Sequence, residues 1–400
     1  IPTIVKSKEK VKELMHNLEV MYLANKSEHI YFTLLGDCSS SQNKKEAYDE
    51  EIIKEGRLQV ERLNQKYSQE GIGKFQFIYR ERFWNGKEEC YLGWERKRGM
   101  LNQLNEYLLG HEKNVFLYNS MEEEKTKGKK WKEQIHYIIT LDADTKLPIG
   151  TGLELIGAMS HILNRPILNH TKDAVVQGHG IMQPRVGIDL EISRKNVFTQ
   201  VFAGNGGTDS YTNAISDFYQ DLFDEGIFTG KGIYDLETFS TVLTKEIPEN
   251  KVLSHDLLEG SYLRCALVSD IMLMDGYPAN YQSFKARMHR WIRGDIQILG
   301  WLKRRIFNKK GEEKQNPLNG LSKYKILDNS VRAIFPITVL FGLLYTLFFS
   351  NGLAWLFLIA LLTPTLLEWI DKIVYRKENV GSRKSFDSTI SVSMASIDRG

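Results

Sequence analysis

Five short apolar runs punctuate the first half of the chain: Ile30 to Leu35, Phe75 to Tyr79, Val115 to Tyr118, Tyr137 to Leu141 and Ala174 to Gln177. Each closes near polar or glycine residues, and runs of this kind, rich in β-branched and aromatic side chains, read as strands. Between them the apolar spacing becomes helical. Val11, Leu14, Met15, Leu18, Met21 and Tyr22 share one helical face, and Tyr48, Ile52, Val60, Leu63 and Tyr67 share another on a more charged helix. Strands and helices in alternation predict an α/β fold, a mostly parallel sheet flanked by helices.

In an open parallel sheet ligands collect outside the carboxyl ends of the strands, so the residues just after each strand carry the most functional weight. Asp37 follows Leu34-Leu35-Gly36, and Asp142 and Asp144 follow Tyr137 to Leu141. Asp37 is placed to accept a bond from a nucleobase or ribose, although an aspartate there is more often a turn or cap residue. The Asp-x-Asp pair brings two carboxylates near one point, where they can share a hard cation that also grips two phosphates. Acidic pairs are common on surfaces, and alone this one decides nothing. Earlier, Arg96, Lys97 and Arg98 precede Gly99 at a helix start, which favours an anion and equally fits a solvated surface.

Val176 to Arg185 reads as a strand leaving the sheet. Two glycine-rich runs, Ala203 to Thr208 and Phe228 to Tyr234 with Gly230 and Lys231 inside it, read as connectors or as the lining of a carbohydrate groove. Glu122 to Glu133 reads as a solvated loop or helix end. Ser254 to Gly260 reads as a helix start whose Asp256 is the candidate general base, against the ordinary use of aspartate to stabilise a helix dipole; His255 is the second choice. Gln282 to Asp295 reads as a cationic helix grouping Arg287, Arg290 and Trp291 within one turn. Arginine there can form paired bonds to a departing diphosphate, and tryptophan can offer an apolar face to a sugar ring. A basic amphipathic helix beside a membrane is the plain alternative.

Two apolar runs follow, Ala333 to Phe349 and Leu353 to Leu367, joined by Ser350-Asn351-Gly352. A bilayer core needs about 17 to 25 helical residues, so two tilted helices make a hairpin at the short limit, with a buried helical pair as the soluble alternative. Lys323, Lys325 and Arg332 before the hairpin, and Lys372, Arg376 and Lys377 after it, put both ends and the catalytic part in the cytoplasm. A chain of 400 residues with 42% hydrophobic content is enough for one large soluble core plus such segments. It opens on the strand-like Ile1 to Val5 without a methionine, which reads as a piece of a longer protein. The net charge is only +3 and the basic residues form no stripe, which argues against nucleic-acid binding. Cys38, Cys90 and Cys265 stand far apart, which argues against a zinc site or disulfide scaffold and fits a reducing, cytosol-facing location.

Taken in order, Asp37, Lys97 to Asn102, Asp142 to Asp144, Asp256 and Arg287 to Trp291 resemble the motifs of inverting membrane glycosyltransferases such as cellulose and chitin synthases. In that family a GT-A fold carries an early aspartate, a Lys-x-Gly-x-Leu-Asn segment, an Asp-x-Asp, a later aspartate base and a Gln-x-x-Arg-Trp helix before membrane spans. Two departures stand out: Arg287 replaces the glutamine, and His255 replaces the glutamate that commonly precedes the base. Longer strings, among them Gly93 to Gly99, Gly230 to Tyr234, His255 to Gly260 and His289 to Asp295, are more similar to the glycosyltransferase domain of bacterial cyclic β-1,2-glucan synthases.

That resemblance implies a Rossmann-like GT-A domain over residues 1–305, an interfacial linker over 306–332, a C-terminal transmembrane helical hairpin over 333–370 and a cytoplasmic linker over 371–400. Cyclisation and phosphorylase-like domains would lie downstream. It implies inverting transfer of glucose from UDP-glucose to a growing β-1,2-glucan at the bacterial inner membrane, with Mg2+ or Mn2+. Asp256 would be the base, and Asp142 and Asp144 would hold the metal. Asp37, Lys97, Asp142, Arg287 and Arg290 would meet the donor, and Trp291, Gly230 and Lys231 the glucan acceptor. Another processive β-glycan synthase is the nearest alternative. Two rivals come from other classes. Asp142-Ala143-Asp144-Thr145 resembles the nucleophile loop of haloacid dehalogenase-like phosphatases, but Lys146 stands where that loop has its threonine. A non-catalytic glucan-binding membrane module is the other.

Overall fold

The computed structural model describes residues 1–67, 73–111, 115–126, 128, 134–189, 192, 195–202, 218–252, 255–349, 354–360, 362, 363 and 366. Ser7 opens the first helix, Lys8–Ala24, by accepting the Lys10 amide at 3.3 Å. Its face of Val11, Leu14, Met15, Leu18, Met21 and Tyr22 turns inward as the spacing predicts. Each such side chain contributes about 1.5–3 kcal/mol by leaving water. The second helix, Ala47–Lys66, starts where Asp49 accepts the Glu46 amide at 2.9 Å, and it buries Ile52, Val60 and Leu63.

The strands of the first half are β1 (Pro2–Ile4), β2 (Phe32–Asp37), β3 (Phe75–Arg80), β4 (Phe83–Asn85), β5 (Cys90–Leu92) and β6 (Phe116–Asn119). One sheet runs β1-β2-β3-β6, parallel except for the last pair, while β4 and β5 form a separate hairpin. The later strands are β7 (Tyr137–Thr140), β8 (Ile167–Leu168), β9 (Val175–Gln177), β10 (Ile181–Ile188), β11 (Gly232–Asp235), β12 (Ala266–Asp275), β13 (Arg305–Phe307) and β14 (Glu313–Gln315). A second sheet runs β12-β10-β11-β7, with β10 parallel to β12 and β11 antiparallel to both of its neighbours. The α/β class therefore holds, but the sheets are mixed rather than mostly parallel. Apolar spacing marks a strand without giving its direction, which the intervening connection decides. Val176 to Arg185 is a second correction: its C-terminal part does not leave the sheet but enters β10, a central strand. Gly178, at φ 68°, makes the turn before it, where a Cβ would overlap the Arg165 carbonyl.

One core joins both sheets. Val11, Leu14 and Leu18 from the first helix and Leu155 and Met159 from helix Thr151–Ser160 meet Leu34, Phe77, Met182, Ile233 and Leu273. A second cluster packs helices Leu236–Leu243 and Asp256–Tyr262 around Tyr234, Phe239, Leu258 and Trp301.

The first apolar run belongs to a longer helix, Gly320–Phe349, the helix among the described residues long and apolar enough to cross a membrane. Its early turns dock on the soluble core: Ile326 is fully buried, and the buried Lys325 lies 3.3 Å from Glu225. Lys325 is thus tied inside the protein rather than set against lipid headgroups. Farther along, Ile334, Phe335, Leu340, Phe341, Leu344 and Phe348 are exposed. The stretch 306–332, expected as an interfacial linker, holds the β13–β14 hairpin and the first turns of this helix. In the second apolar run residues 354–360 are helical. The turn 350–352, the linker 371–400 and the glycine-rich run 203–208 lie outside the described residues, and so does most of 127–133 beyond helix Ser120–Thr126.

Candidate active site

A cleft of about 780 Å³ opens at the ends of the second sheet. The chain leaves β7 through Leu141 and delivers Asp142 to its wall. Lys231 comes from the turn before β11, and Asp275 from the end of β12. Helix Arg96–Leu108 contributes Lys97 near its start, helix Asp256–Tyr262 contributes Asp256 at its first position, and helix Tyr281–Gln297 contributes Arg287, Arg290 and Trp291. Residues separated by up to two hundred positions in the chain thus face one space.

Asp142 stands between two ammonium groups, Lys97 Nζ at 2.6 Å and Lys231 Nζ at 3.3 Å. Burial pushes its carboxyl up, but the two lysines outweigh burial and bring it to about 2. Lys97 also donates to the Gly230 carbonyl at 2.9 Å, and Gly230 has φ 90°, where glycine is favoured. Lys231 reaches on to Asp275 at 2.6 Å, and Asp275 accepts the Thr145 hydroxyl at 2.8 Å. The Asp144 side chain is 50% exposed and 3.8 Å from Arg287, and its carboxyl is pushed up by the partial loss of its water and then by Asp275 and Asp142. Asp275 and Asp142 both act on Asp144, and carboxylate oxygen is the donor type that Mg2+ or Mn2+ takes. Here Lys97 and Lys231 pair with Asp142, and Lys231 with Asp275.

On another wall Asp256 is half-buried against Gly230, where a Cβ would stand 2.9 Å from its Oδ1. Burial pushes the Asp256 carboxyl up, opposed first by His255 and then by Lys97. His255 sits at the helix N-cap with Nδ1 2.8 Å from the buried Glu259 Oε1. Ring nitrogen and both carboxylates lie within 4.8 Å of one another.

Three expected residues stand off the cleft wall: Asp37, Asp144 and Gly230. Asp37 is buried beneath the cleft rather than lining it, with Arg80 Nε 3.6 Å away and the Cys38 amide donating at 3.1 Å. Arg80 in turn donates to the carbonyls of Trp94 and Arg96, at 2.6 and 2.8 Å, and so steadies the loop that presents Lys97. Lys231, expected at the acceptor, lines the cleft and pairs there with Asp142 and Asp275. Asp275 and Glu259 were not singled out from the sequence. Asp275 obeys the same strand-end logic as Asp142, and Glu259 stands four residues from His255 on one helical face.

No protein-family model matches the chain. It is 36% identical over 397 residues to Cyclic beta-(1,2)-glucan synthase NdvB of Rhizobium meliloti (strain 1021). The aligned stretch is 98% of this chain and only 13% of that protein, so the chain is similar to a small part of its relative. The resemblance read from the motifs therefore extends across nearly the full chain.

Proposed function

We propose that this chain is the glucosyltransferase portion of a β-1,2-glucan synthase, transferring glucose from UDP-glucose to a growing glucan with inversion at the anomeric carbon. The relative's name supports the product, and one observation carries the chemistry: Asp142, Asp256, Arg290 and Trp291 line a single cleft. In this reading Asp256 takes the proton of an acceptor hydroxyl, which attacks from the face opposite the nucleotide. Arg287 and Arg290 meet the negative charge growing on the departing diphosphate. Trp291, half-buried in the wall, presents its ring to the acceptor sugar. Lys97 lies on the donor side, and we place Lys231 there with it because its ammonium already serves Asp142 and Asp275. Asp37 then acts from beneath, through the loop that carries Lys97. Asp142 and Asp144 would hold Mg2+ or Mn2+, which offsets charge on UDP when bound.

The same reading takes residues 1–305 as a GT-A domain and the helical stretch from 333 onward as a membrane hairpin in the bacterial inner membrane. The cleft would face the cytoplasm, where UDP-glucose is made, and cyclising and phosphorylase-like domains would belong to the longer protein. Incorporation of labelled glucose from UDP-glucose into membrane-bound glucan tests it, with linkage analysis of the product. Asp256→Asn is expected to abolish transfer while leaving UDP binding intact, and Asp144→Ala to abolish transfer as well. Near-normal turnover in Asp256→Asn removes that residue from the mechanism, and a product without β-1,2 linkages ends the assignment.

A further inference from the structure

Glu259 is the least solvated carboxylate near the cleft, 2% exposed, in a small space walled by Leu101, Phe228, Tyr234 and Phe239 and by Lys97, whose ammonium is held by Asp142 and the Gly230 carbonyl. A charged carboxylate in such surroundings needs a cation beside it. Arg98 is committed elsewhere, to Glu95 at 2.5 Å and the Ile247 carbonyl at 3.2 Å, and the Tyr234 hydroxyl donates to Asn105 at 3.0 Å. What meets Glu259 is His255, with Nδ1 and Oε1 2.8 Å apart, an ion-pair distance, and neither atom in a well-aligned hydrogen bond among the described residues. The same Nδ1 lies 3.9 Å from Asp256 Oδ1. Three ionisable groups from one helical turn thus form a tight triangle, with one imidazole nitrogen near both carboxylates.

We propose that the buried His255–Glu259 pair is a positioning device for Asp256, an anchored imidazolium that holds the neighbouring carboxylate in its working form. The proposal rests on the reading of Asp256 as the base. Burial disfavours the charged ring, but Glu259 outweighs it and keeps His255 protonated to higher pH than a free histidine. The groups facing Asp256 are His255 and Glu259 from its own helix, Lys97 from helix Arg96–Leu108 and Asp142 after β7; Arg98 faces His255. Of the pair, the cation is nearer to Asp256 and its influence is the larger, so losing the pair favours a protonated, idle base. Lys97 supplies the remaining positive charge and keeps the effect partial. Glu259 is itself a positioning residue, acting through the ring.

The test is the pH profile of kcat/KM for UDP-glucose incorporation in native membranes. His255→Asn suits the site because asparagine is a favoured helix N-cap. Its acidic limb is expected to move up by about one pH unit, a roughly tenfold loss below the limb with little loss on the plateau above it. His255→Lys returns a cation beside Glu259 and is expected to move the limb back. An unmoved limb in His255→Asn, with turnover lowered equally at every pH, overturns the proposal and leaves His255 a packing residue. His255→Gln, measured the same way, replaces the asparagine variant if that one does not accumulate. The two readings separate cleanly: an active Asp256→Asn removes the base itself, whereas an unmoved limb beside an inactive Asp256→Asn removes only the role of His255.

Discussion

Lys97 ties the two walls of the cleft together, since one ammonium serves Asp142 at 2.6 Å and the Gly230 carbonyl at 2.9 Å, and Asp256 lies within its field. Replacing it with methionine removes a charge-assisted bond of about 1.5–3 kcal/mol. UDP binding to Lys97→Met, measured by calorimetry, is expected to weaken by about tenfold or more; unchanged affinity would take Lys97 off the donor. The pH dependence separates the carboxylates. Asp142 has a folded value below its unfolded one, so its ion pairs stabilise the fold fully above the unfolded value and the stabilisation fades as pH falls from there through about 2. Asp256 is shifted the other way, so an activity loss on mild acidification belongs to Asp256 and not to Asp142. These residues were legible because each follows a strand or opens a helix. Asp275 was not, because Ser269 and Asp270 interrupt the apolar run of its strand. Glu259 was legible as a spacing but not as a burial, since nothing in the local sequence says what covers that helical face.

At the scale of elements, two glycines show where packing decides. Gly99 lies in the first turn of helix Arg96–Leu108, where a Cβ would overlap the Trp94 carbonyl that also accepts Arg80. Gly157, in helix Thr151–Ser160, has open space around it. Gly99→Ala is expected to cost about 1–3 kcal/mol and to displace Lys97. Gly157→Ala is expected to stabilise by about 0.5–1 kcal/mol through helix propensity. Thermal midpoints of the two variants in detergent check this, and equal midpoints would contradict it. The same contrast explains what could be read beforehand. All five expected strands and the two helices expected in the first half form, within a few residues of their expected ends, because their apolar period is set locally. Strand direction, the place of β10 and the insertion of β11 between β10 and β7 depend on partners distant in the chain, and no local pattern encodes them.

For the whole molecule, the decisive element is helix Gly320–Phe349, which at about 1.5 Å per residue is roughly 45 Å long. Its first third is locked to the soluble core by Ile326 and the buried Lys325–Glu225 contact, and it packs against the helix that carries Arg290 and Trp291. The remainder presents Leu340, Phe341, Leu344 and Phe348 outward with no protein partner over them among the described residues. A soluble protein would cover such a surface, whereas a bilayer would welcome it. One helix, with Pro336 between its docked and its exposed part, would then run from the wall of the cleft to the membrane. Lysines at Leu340 and Leu344 would each cost about 2.5–3.5 kcal/mol near the bilayer centre. The double variant Leu340→Lys, Leu344→Lys is therefore expected to leave the membrane pellet on alkaline carbonate washing, and the unaltered protein to stay in it. Lys325→Met leaves Glu225 buried with one cation fewer and is expected to cost about 3–5 kcal/mol in core stability while the chain remains in the pellet. If the double-lysine variant also stays in the pellet, the exposed face of this helix meets protein rather than lipid, and the helix joins the cleft to another domain instead of to the membrane.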